Sequence, residues 1–141
     1  MPNIDLNEIN WLAVLVAGLA AFLLGGLWYG PLFSKPWIKA QGWSDEKVAE
    51  LKAKMSPAKF FGGMIVSYFI MATALALIAS AADVDTLVEG LCLGSLIWVI
   101  TACLTMTHQL ASGRHINAYF VDASFELIYL LMMGAIIGAW H

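Results

Sequence analysis

Four apolar segments are each long enough to cross the hydrocarbon core of a membrane as an α-helix. A core of about 30 Å takes roughly 20 helical residues, and the segments cover about residues 11–29, 57–82, 86–112 and 117–140. Only 12% of the 141 residues are charged and 61% are hydrophobic, whereas a soluble domain carries about a quarter charged residues. The sequence therefore predicts an all-α integral membrane protein, a single domain over residues 1–141 folded as a four-transmembrane-helix bundle.

Local signals predict where these helices begin and end. Gly30-Pro31 is expected to end the first span, and Ser56-Pro57 supplies an N-cap and a first-turn proline for the second. Thr86 and Glu89 have capping-box spacing at the start of the third span. Ser112-Gly113 suits a left-handed C-cap at its end. These signals support a tight connection between the third and fourth spans.

Basic residues lie on one side of the predicted membrane. The net charge is −3, so there is no basic field for nucleic acid and no nucleic-acid partner is expected. Arg114 lies in the short loop 113–116, and all the lysines lie between the first two spans, at Lys35, Lys39, Lys47, Lys52, Lys54 and Lys59. The positive-inside rule predicts that loops 30–56 and 113–116 are cytoplasmic and that both termini lie outside the plasma membrane.

Residues 44–55 predict a short amphipathic cytoplasmic helix between spans 1 and 2. Ser44 precedes two acidic residues, as at a helix N-terminus, and Val48, Leu51 and Met55 form an apolar stripe. With the neighbouring tryptophans and lysines, this segment suits a helix that lies in the membrane interface. A surface that docks a partner is the alternative.

Asp122 and Glu126 are acidic residues that lie well inside a predicted span. Glu126 is about nine residues into the fourth span, or roughly 13 Å, which is near the midplane. An Asp at this depth costs about 2.5–3.5 kcal/mol, and a Glu should be comparable. Because intramembrane carboxyls face a bundle interior or a wet cavity, these two are the first candidates for function.

The two carboxyls belong to a polar stripe that a second stripe on the preceding span matches. The fourth span carries His115, Tyr119, Asp122, Glu126 and Tyr129 on one helical face, and the third carries Thr101, Thr105, His108 and Ser112. In an antiparallel hairpin, residues at equal depth have numbers that sum to about 227. This register predicts three facing pairs, Thr101 with Glu126, Thr105 with Asp122, and His108 with Tyr119.

Three interpretations of this polar hairpin remain open. In the first, hydroxyls and His108 hydrogen-bond neutral carboxyls and join the helices, although such contacts contribute only about 0.6 kcal/mol on average. In the second, a proton or cation relay consists of Asp122, Glu126 and His108, with a path lined by Thr101, Thr105, Tyr119 and His115. In the third, the two histidines and two carboxyls bind zinc or iron. No HxxxH or HxxE spacing supports that third reading, so no metal is expected.

Aromatic residues at the span ends suggest contact with the membrane interface. Trp11, Trp28, Tyr29 and Trp140 all lie near predicted ends, as the residues of an aromatic belt do.

Small-residue spacings predict close helix packing. GxxxG matches occur at Gly26–Gly30, Gly90–Gly94 and Gly134–Gly138, with a relaxed match at Gly63–Ser67. Such spacings permit close approach of helices, and the sequence leaves open whether they pack one chain or a dimer.

The chain lacks the signatures of common enzymes. It contains no GxSxG, no HExxH and no phosphate-binding glycine loop. We therefore expect no enzymatic activity and no cofactor.

The first 37 residues contain three distinctive segments, the Asn-Trp-Leu-Ala-Val-Leu opening at 10–15, the Gly-Gly-Leu-Trp-Tyr-Gly-Pro-Leu-Phe segment at 25–33, and Lys35-x-Trp37. In these segments, and in the layout of nearly the whole chain, the sequence resembles a small, mostly bacterial membrane family known as domain of unknown function 1761. The resemblance implies a four-helix protein of the bacterial inner membrane, and it supplies no activity or substrate.

The favoured functional prediction is a transporter or channel-like protein that handles protons, cations or a small solute at the carboxylate pair. The alternative is a non-catalytic accessory or scaffold protein whose carboxyls only hydrogen-bond the helices. The expected partners are the lipid bilayer, a small solute or cation, and further copies of the chain, because four short spans bury little protein surface.

Overall fold

The computed structural model describes residues 6, 9–113 and 115–140, and these residues form helices and turns without a β-strand. Four helices are long and apolar enough to cross a membrane, which confirms the prediction of an all-α fold with four long apolar helices. In chain order the helices are α1 (Trp11–Leu27), α2 (Ser34–Ala40), α3 (Asp45–Lys54), α4 (Pro57–Ala81), α5 (Leu87–Ala111) and α6 (Ile116–Ala139), and a π-helical segment at Trp28–Leu32 directly follows α1.

The π-helical segment extends the first apolar helix beyond the end predicted near Gly30. Pro31 has no N–H group to donate to the carbonyl four residues earlier, and the N–H of Phe33 instead donates to the carbonyl of Trp28, five residues back, at 2.8 Å. Gly30 has a non-helical conformation (φ −94°, ψ −106°) that marks a kink. After this kink α2, which the sequence did not predict, begins at Ser34 and contacts α6.

The predicted caps are present at both ends of α5. The Thr86 hydroxyl accepts from the Glu89 N–H at 3.2 Å and donates to the Glu89 carboxylate at 2.8 Å. Gly113 has a φ of +65° directly after the last turn, the left-handed conformation that glycine adopts without a steric penalty. Arg114, one of the basic residues behind the predicted orientation, lies outside the described residues.

α5 and α6 form an antiparallel hairpin in which glycines of the two helices meet. A β-carbon at Gly90 would overlap the carbonyl oxygen of Gly134, and one at Gly94 would overlap that of Leu130. Two of the GxxxG matches therefore pack the chain against itself, whereas Gly26 has open space around it. The backbones approach closely because small residues allow it.

A cleft separates the first turns of α4 from α5 and α6. The buried residues of α4 begin at Tyr68, where the helix packs against α1 and α6. Residues 57–63 are exposed, and open space surrounds Gly62 and Gly63. The main packing partner of α5 is α6, so α5 does not close this side.

Helix α3 forms where the amphipathic pattern predicted it. The Ser44 side chain caps it by accepting from the Lys47 N–H at 3.3 Å. Glu50 pairs with Lys54 and Lys47 one turn away on either side. Hydrogen bonds from Lys54 and then Lys47 hold the pKa of the Glu50 carboxyl below its usual range. No residue of α3 is buried.

Candidate functional site

Asp122 joins three helical elements through one carboxylate oxygen. The Tyr29 hydroxyl donates to Oδ1 of Asp122 at 2.7 Å, and the indole Nε1 of Trp37 donates to the same oxygen at 2.8 Å. Tyr29 belongs to the π-helical segment, Trp37 to α2 and Asp122 to α6. Each donor satisfies a buried acceptor that would otherwise cost free energy.

The kink at Gly30 separates the two donors to Asp122. Tyr29 lies directly before the kink, and Trp37 lies after it on α2, which contacts α6. The Tyr29 and Trp37 rings then meet edge to face, with centroids 5.5 Å apart, and Trp43 packs on Trp37 in the same way at 5.2 Å. Edge-to-face packing fixes the orientation of both donors.

Glu126 lies one helical turn beyond Asp122 and has a different environment. Among the described residues, its Oε2 atom is fully buried and has no hydrogen-bond partner. A buried polar atom without a partner is rare in folded proteins and calls for an explanation such as a bound ligand, ion or proton. Oε2 of Glu126 is therefore an atom for which the described residues supply no hydrogen-bond partner.

Both carboxyls line a cavity of about 660 Å³ in the cleft described above. The walls come from the π-helical segment, from the first half of α4, from α5 and from α6. Lys59 lines it from the first turn of α4, and Ser67 and Thr105 add hydroxyl groups. This volume lies within the range of about 300–1,000 Å³ that small-molecule sites occupy.

Four aromatic rings pack in succession beside the two carboxyls. Phe125 lies between Tyr29 and Tyr129, with ring centroids 5.1 Å from each. Tyr68 packs edge to face on Tyr129 at 5.6 Å. All four rings line the cavity, so its interior combines negative charge with aromatic surface.

The structure brings one of the predicted threonines to the carboxyls. Thr105 lines the cavity with Asp122 and Glu126. The hydroxyl of Thr101 instead donates to the carbonyl of Trp98 on its own helix, at 3.1 Å. The buried hydroxyl of Tyr119 donates to the carbonyl of Ala102 on α5, at 3.1 Å.

The two histidines lie outside the cavity. His108 and His115 are exposed and are not among the residues that line it. The His115 ring lies at the α2–α3 turn, where a β-carbon at Gly42 would be 2.9 Å from its Nε2. Among the described residues, no three His, Cys, Asp or Glu side chains are placed to hold a metal ion.

The two aromatic residues at the end of the first apolar helix differ in their surroundings. Trp28 is only 9% exposed and packs on Phe33 and Phe125, whereas Tyr29 lines the cavity and bonds Asp122. Trp11 and Trp140 are 51% and 42% exposed, and the aromatic belt stays a prediction.

Sequence reasoning missed Tyr29, Trp37 and Tyr68 as site residues. Tyr29 and Trp37 carry a signal nonetheless, because both lie in the Leu-Trp-Tyr-Gly-Pro and Lys-x-Trp segments that carried the family resemblance. Tyr68 has no such signal, since an isolated tyrosine in an apolar helix matches no motif.

These features define a small helical protein with an acidic, aromatic cavity between helices long enough to span a membrane. The chain belongs to the family described as protein of unknown function (DUF1761), whose model matches residues 12–138. No curated protein and no solved structure matches the chain.

Proposed function

We propose that the four long helices span a membrane and that the protein transports protons or small cations through the Asp122–Glu126 cavity. The observation that carries this proposal is the buried, unpaired Oε2 atom of Glu126 beside a cavity of about 660 Å³. A carboxylate that the protein leaves without a donor can be neutralised by a proton or by a bound cation. Transport follows if protonation and cation binding alternate at the Glu126 carboxyl.

The two carboxyls have different roles in this proposal. Asp122 accepts two hydrogen bonds and stays in place as a fixed anion. Glu126 has no such bonds among the described residues and exchanges its proton for a cation. Thr105, from α5, offers a hydroxyl oxygen to the same cavity. No described contact connects His108 to this cavity, so the relay begins at the carboxyls.

The charge distribution supports an orientation with the lysine-rich segment in the cytoplasm of a bacterial cell. Lys59 lines the cavity in the first turn of α4, and α2 and α3 carry the remaining lysines. The cavity would then open toward the cytoplasmic leaflet, and both termini would lie outside. The open face around Gly62 and Gly63 offers a surface on which a second copy could pack.

Transport can be tested with purified protein in liposomes that contain a trapped pH-sensitive dye. An imposed pH gradient should dissipate faster in wild-type vesicles when an external cation such as Na⁺, K⁺ or an alkylammonium is offered. Glu126→Gln should abolish this effect. Ser124→Ala is the matched control, because Ser124 is exposed on the same helix and bonds only its own helix backbone at Phe120. The proposal fails if the wild-type protein exchanges protons for none of these cations.

A structural accessory role is the second candidate, and the Asp122 hydrogen bonds favour it. Through them α6 holds the π-helical segment and α2, as a scaffold would require. In that case Asp122→Leu should destabilise the protein, and Glu126→Gln should leave every cellular effect of the protein intact. A cellular phenotype of Glu126→Gln with an unchanged folded fraction would exclude it.

A further inference from the structure

We infer that the cavity binds a lipophilic organic cation, a quaternary or protonated amine that carries an apolar substituent. This inference rests on the proposed function and names its substrate class. Three observations carry it: the unpaired Glu126 oxygen, the aromatic residues of the cavity wall and the methionines beside them.

The unpaired oxygen sets the charge of the ligand. Oε2 of Glu126 is buried without a partner among the described residues, and Asp122 adds a second carboxyl to the same cavity. A ligand that brings positive charge into the cavity compensates both carboxyls electrostatically. An anionic ligand would add to the repulsion between them.

The walls favour an organic cation over a metal ion. Tyr29, Phe125, Tyr129 and Tyr68 line the cavity beside the carboxyls, and their rings pack on one another in succession. Aromatic faces attract ammonium groups, and aromatic cages are a common way to bind quaternary amines. A hard cation such as Mg²⁺ or Ca²⁺ prefers a shell of oxygen ligands, water included, whereas five of the residues that line this cavity are aromatic.

The remaining residues of the cavity wall favour a ligand that carries an apolar substituent. Met64 and Met71 lie in the cavity wall on α4, together with Phe60. Thioether side chains adapt to irregular apolar groups and contact aromatic rings favourably. A cavity of about 660 Å³ exceeds what a single inorganic ion fills.

Lys59 adds a specificity determinant at the rim. Lys59 lies in the first turn of α4. Glu126 lies farther from the start of its own helix, ten residues or about 15 Å after the first residue of α6. A cation that enters from the side of Lys59 is repelled by it, and a zwitterion with an anionic end finds a partner there. Lys59→Gln should therefore tighten binding of a simple organic cation and weaken binding of a zwitterion.

Calorimetric titration of the full-length protein in detergent with benzyltrimethylammonium tests the inference. Neopentylbenzene, its neutral isostere, is the ligand control. We expect saturable binding of the cation that Glu126→Gln weakens by about tenfold or more, since the electrostatic attraction between the ammonium and the carboxylate is lost. Tyr129→Leu should weaken it by about 2- to 30-fold, the equivalent of one cation–π contact, while Tyr129→Phe should keep most of the affinity.

The outcomes separate this inference from the proposed function. Equal binding of the cation and its neutral isostere, or equal binding to wild type and Glu126→Gln, overturns the inference. If Na⁺ or K⁺ supports proton exchange and benzyltrimethylammonium neither binds nor competes, the substrate class is wrong and transport stands. If the organic cation binds as expected but no cation is exchanged for protons, the site stands and transport fails.

Discussion

The two sides of α6 differ in how tightly they are packed. On the side of α5, Gly134 and Gly138 let two backbones meet without space for a β-carbon. On the side of α4, large aromatic side chains and two carboxyls surround a cavity of about 660 Å³. One helix thus stabilises the fold along one face and leaves a polar, incompletely filled site along the other. Four substitutions test this difference, from the largest expected effect to the smallest, and a fifth on the exposed helix α3 serves as the reference with the least effect.

Gly90→Ala should destabilise the protein most. The added methyl group would overlap the carbonyl oxygen of Gly134, and forcing the helices apart should lower the free energy of unfolding by about 3 kcal/mol. Gly62→Ala is the matched control, because open space surrounds Gly62 and alanine favours a helix. Thermal unfolding in detergent measures both. Equal melting temperatures for the two variants would contradict the close packing of α5 on α6.

Asp122→Leu should cost about 2 kcal/mol in unfolding free energy. It leaves the Tyr29 hydroxyl and the Trp37 indole N–H without their acceptor, and each lost bond contributes about 1 kcal/mol. Asp122→Asn keeps an acceptor oxygen in place and should retain most of the stability. Denaturant titration followed by tryptophan fluorescence compares the two variants. A leucine variant as stable as the asparagine variant would show that the hydrogen bonds contribute little.

Trp37→Phe should cost about 1 kcal/mol, because it removes one of the two donors to Asp122. Trp28→Phe is its control. The Trp28 Nε1 atom is buried without a partner among the described residues, so the desolvation cost that is relieved offsets part of the packing lost against Phe33 and Phe125, and the net change should be small. The same denaturant titration, followed by circular dichroism, measures the difference. A larger loss of unfolding free energy for Trp28→Phe than for Trp37→Phe would contradict the assignment of Trp37 as the indole that donates to Asp122.

Glu126→Met should be neutral or stabilising, in contrast to Asp122→Leu. It replaces a buried oxygen that has no described partner with an apolar group of similar length, and removing such a group recovers its desolvation cost. The melting temperature in ligand-free detergent should not fall. A clear loss of stability would mean that Glu126 makes structural contacts and would weaken its role as a ligand-binding group.

Glu50→Gln should have the smallest effect, and only on α3. Lys54 and Lys47 hold the pKa of Glu50 below its usual range, so the carboxylate supports α3 above the pKa of the unfolded chain. That support is lost as the pH falls through the lowered folded pKa. After correction for the intrinsic pH dependence of amide exchange, the protection factors of α3 amides should fall on acidification in the wild type and change little in the variant. The overall melting temperature should not change measurably, since these side chains are exposed.

Most of the fold could be predicted from local patterns. Apolar length predicted the four long helices, and the capping pair Thr86 and Glu89 predicted the start of α5. Helix α2 was missed because its seven residues include a proline and follow another proline closely. The continuation of the first helix to Leu32 was missed because a π-helical turn around Pro31 has no sequence signature that separates it from a helix end.

The site was predicted in part. The depth of Asp122 and Glu126 singled them out, and Thr105 lines the same cavity. The predicted pairing of the two polar stripes placed donors on α5, whereas the donors to Asp122 come from the π-helical segment and α2. Helical spacing fixes which residues share a face, but it does not fix which neighbour that face meets. The glycines between α5 and α6 bring backbone and not polar side chains together there.

The sequence by itself determined the number of long helices, their apolar character and the presence of two carboxyls deep within one of them. These properties depend on the length and composition of single segments, because a helix in an apolar environment has to form its own backbone hydrogen bonds and present apolar side chains. The tertiary structure alone decided that Asp122 is held by Tyr29 and Trp37 while Glu126 faces a cavity without a partner. That difference depends on a kink of the backbone at Gly30 and on the packing of helices that are distant in sequence.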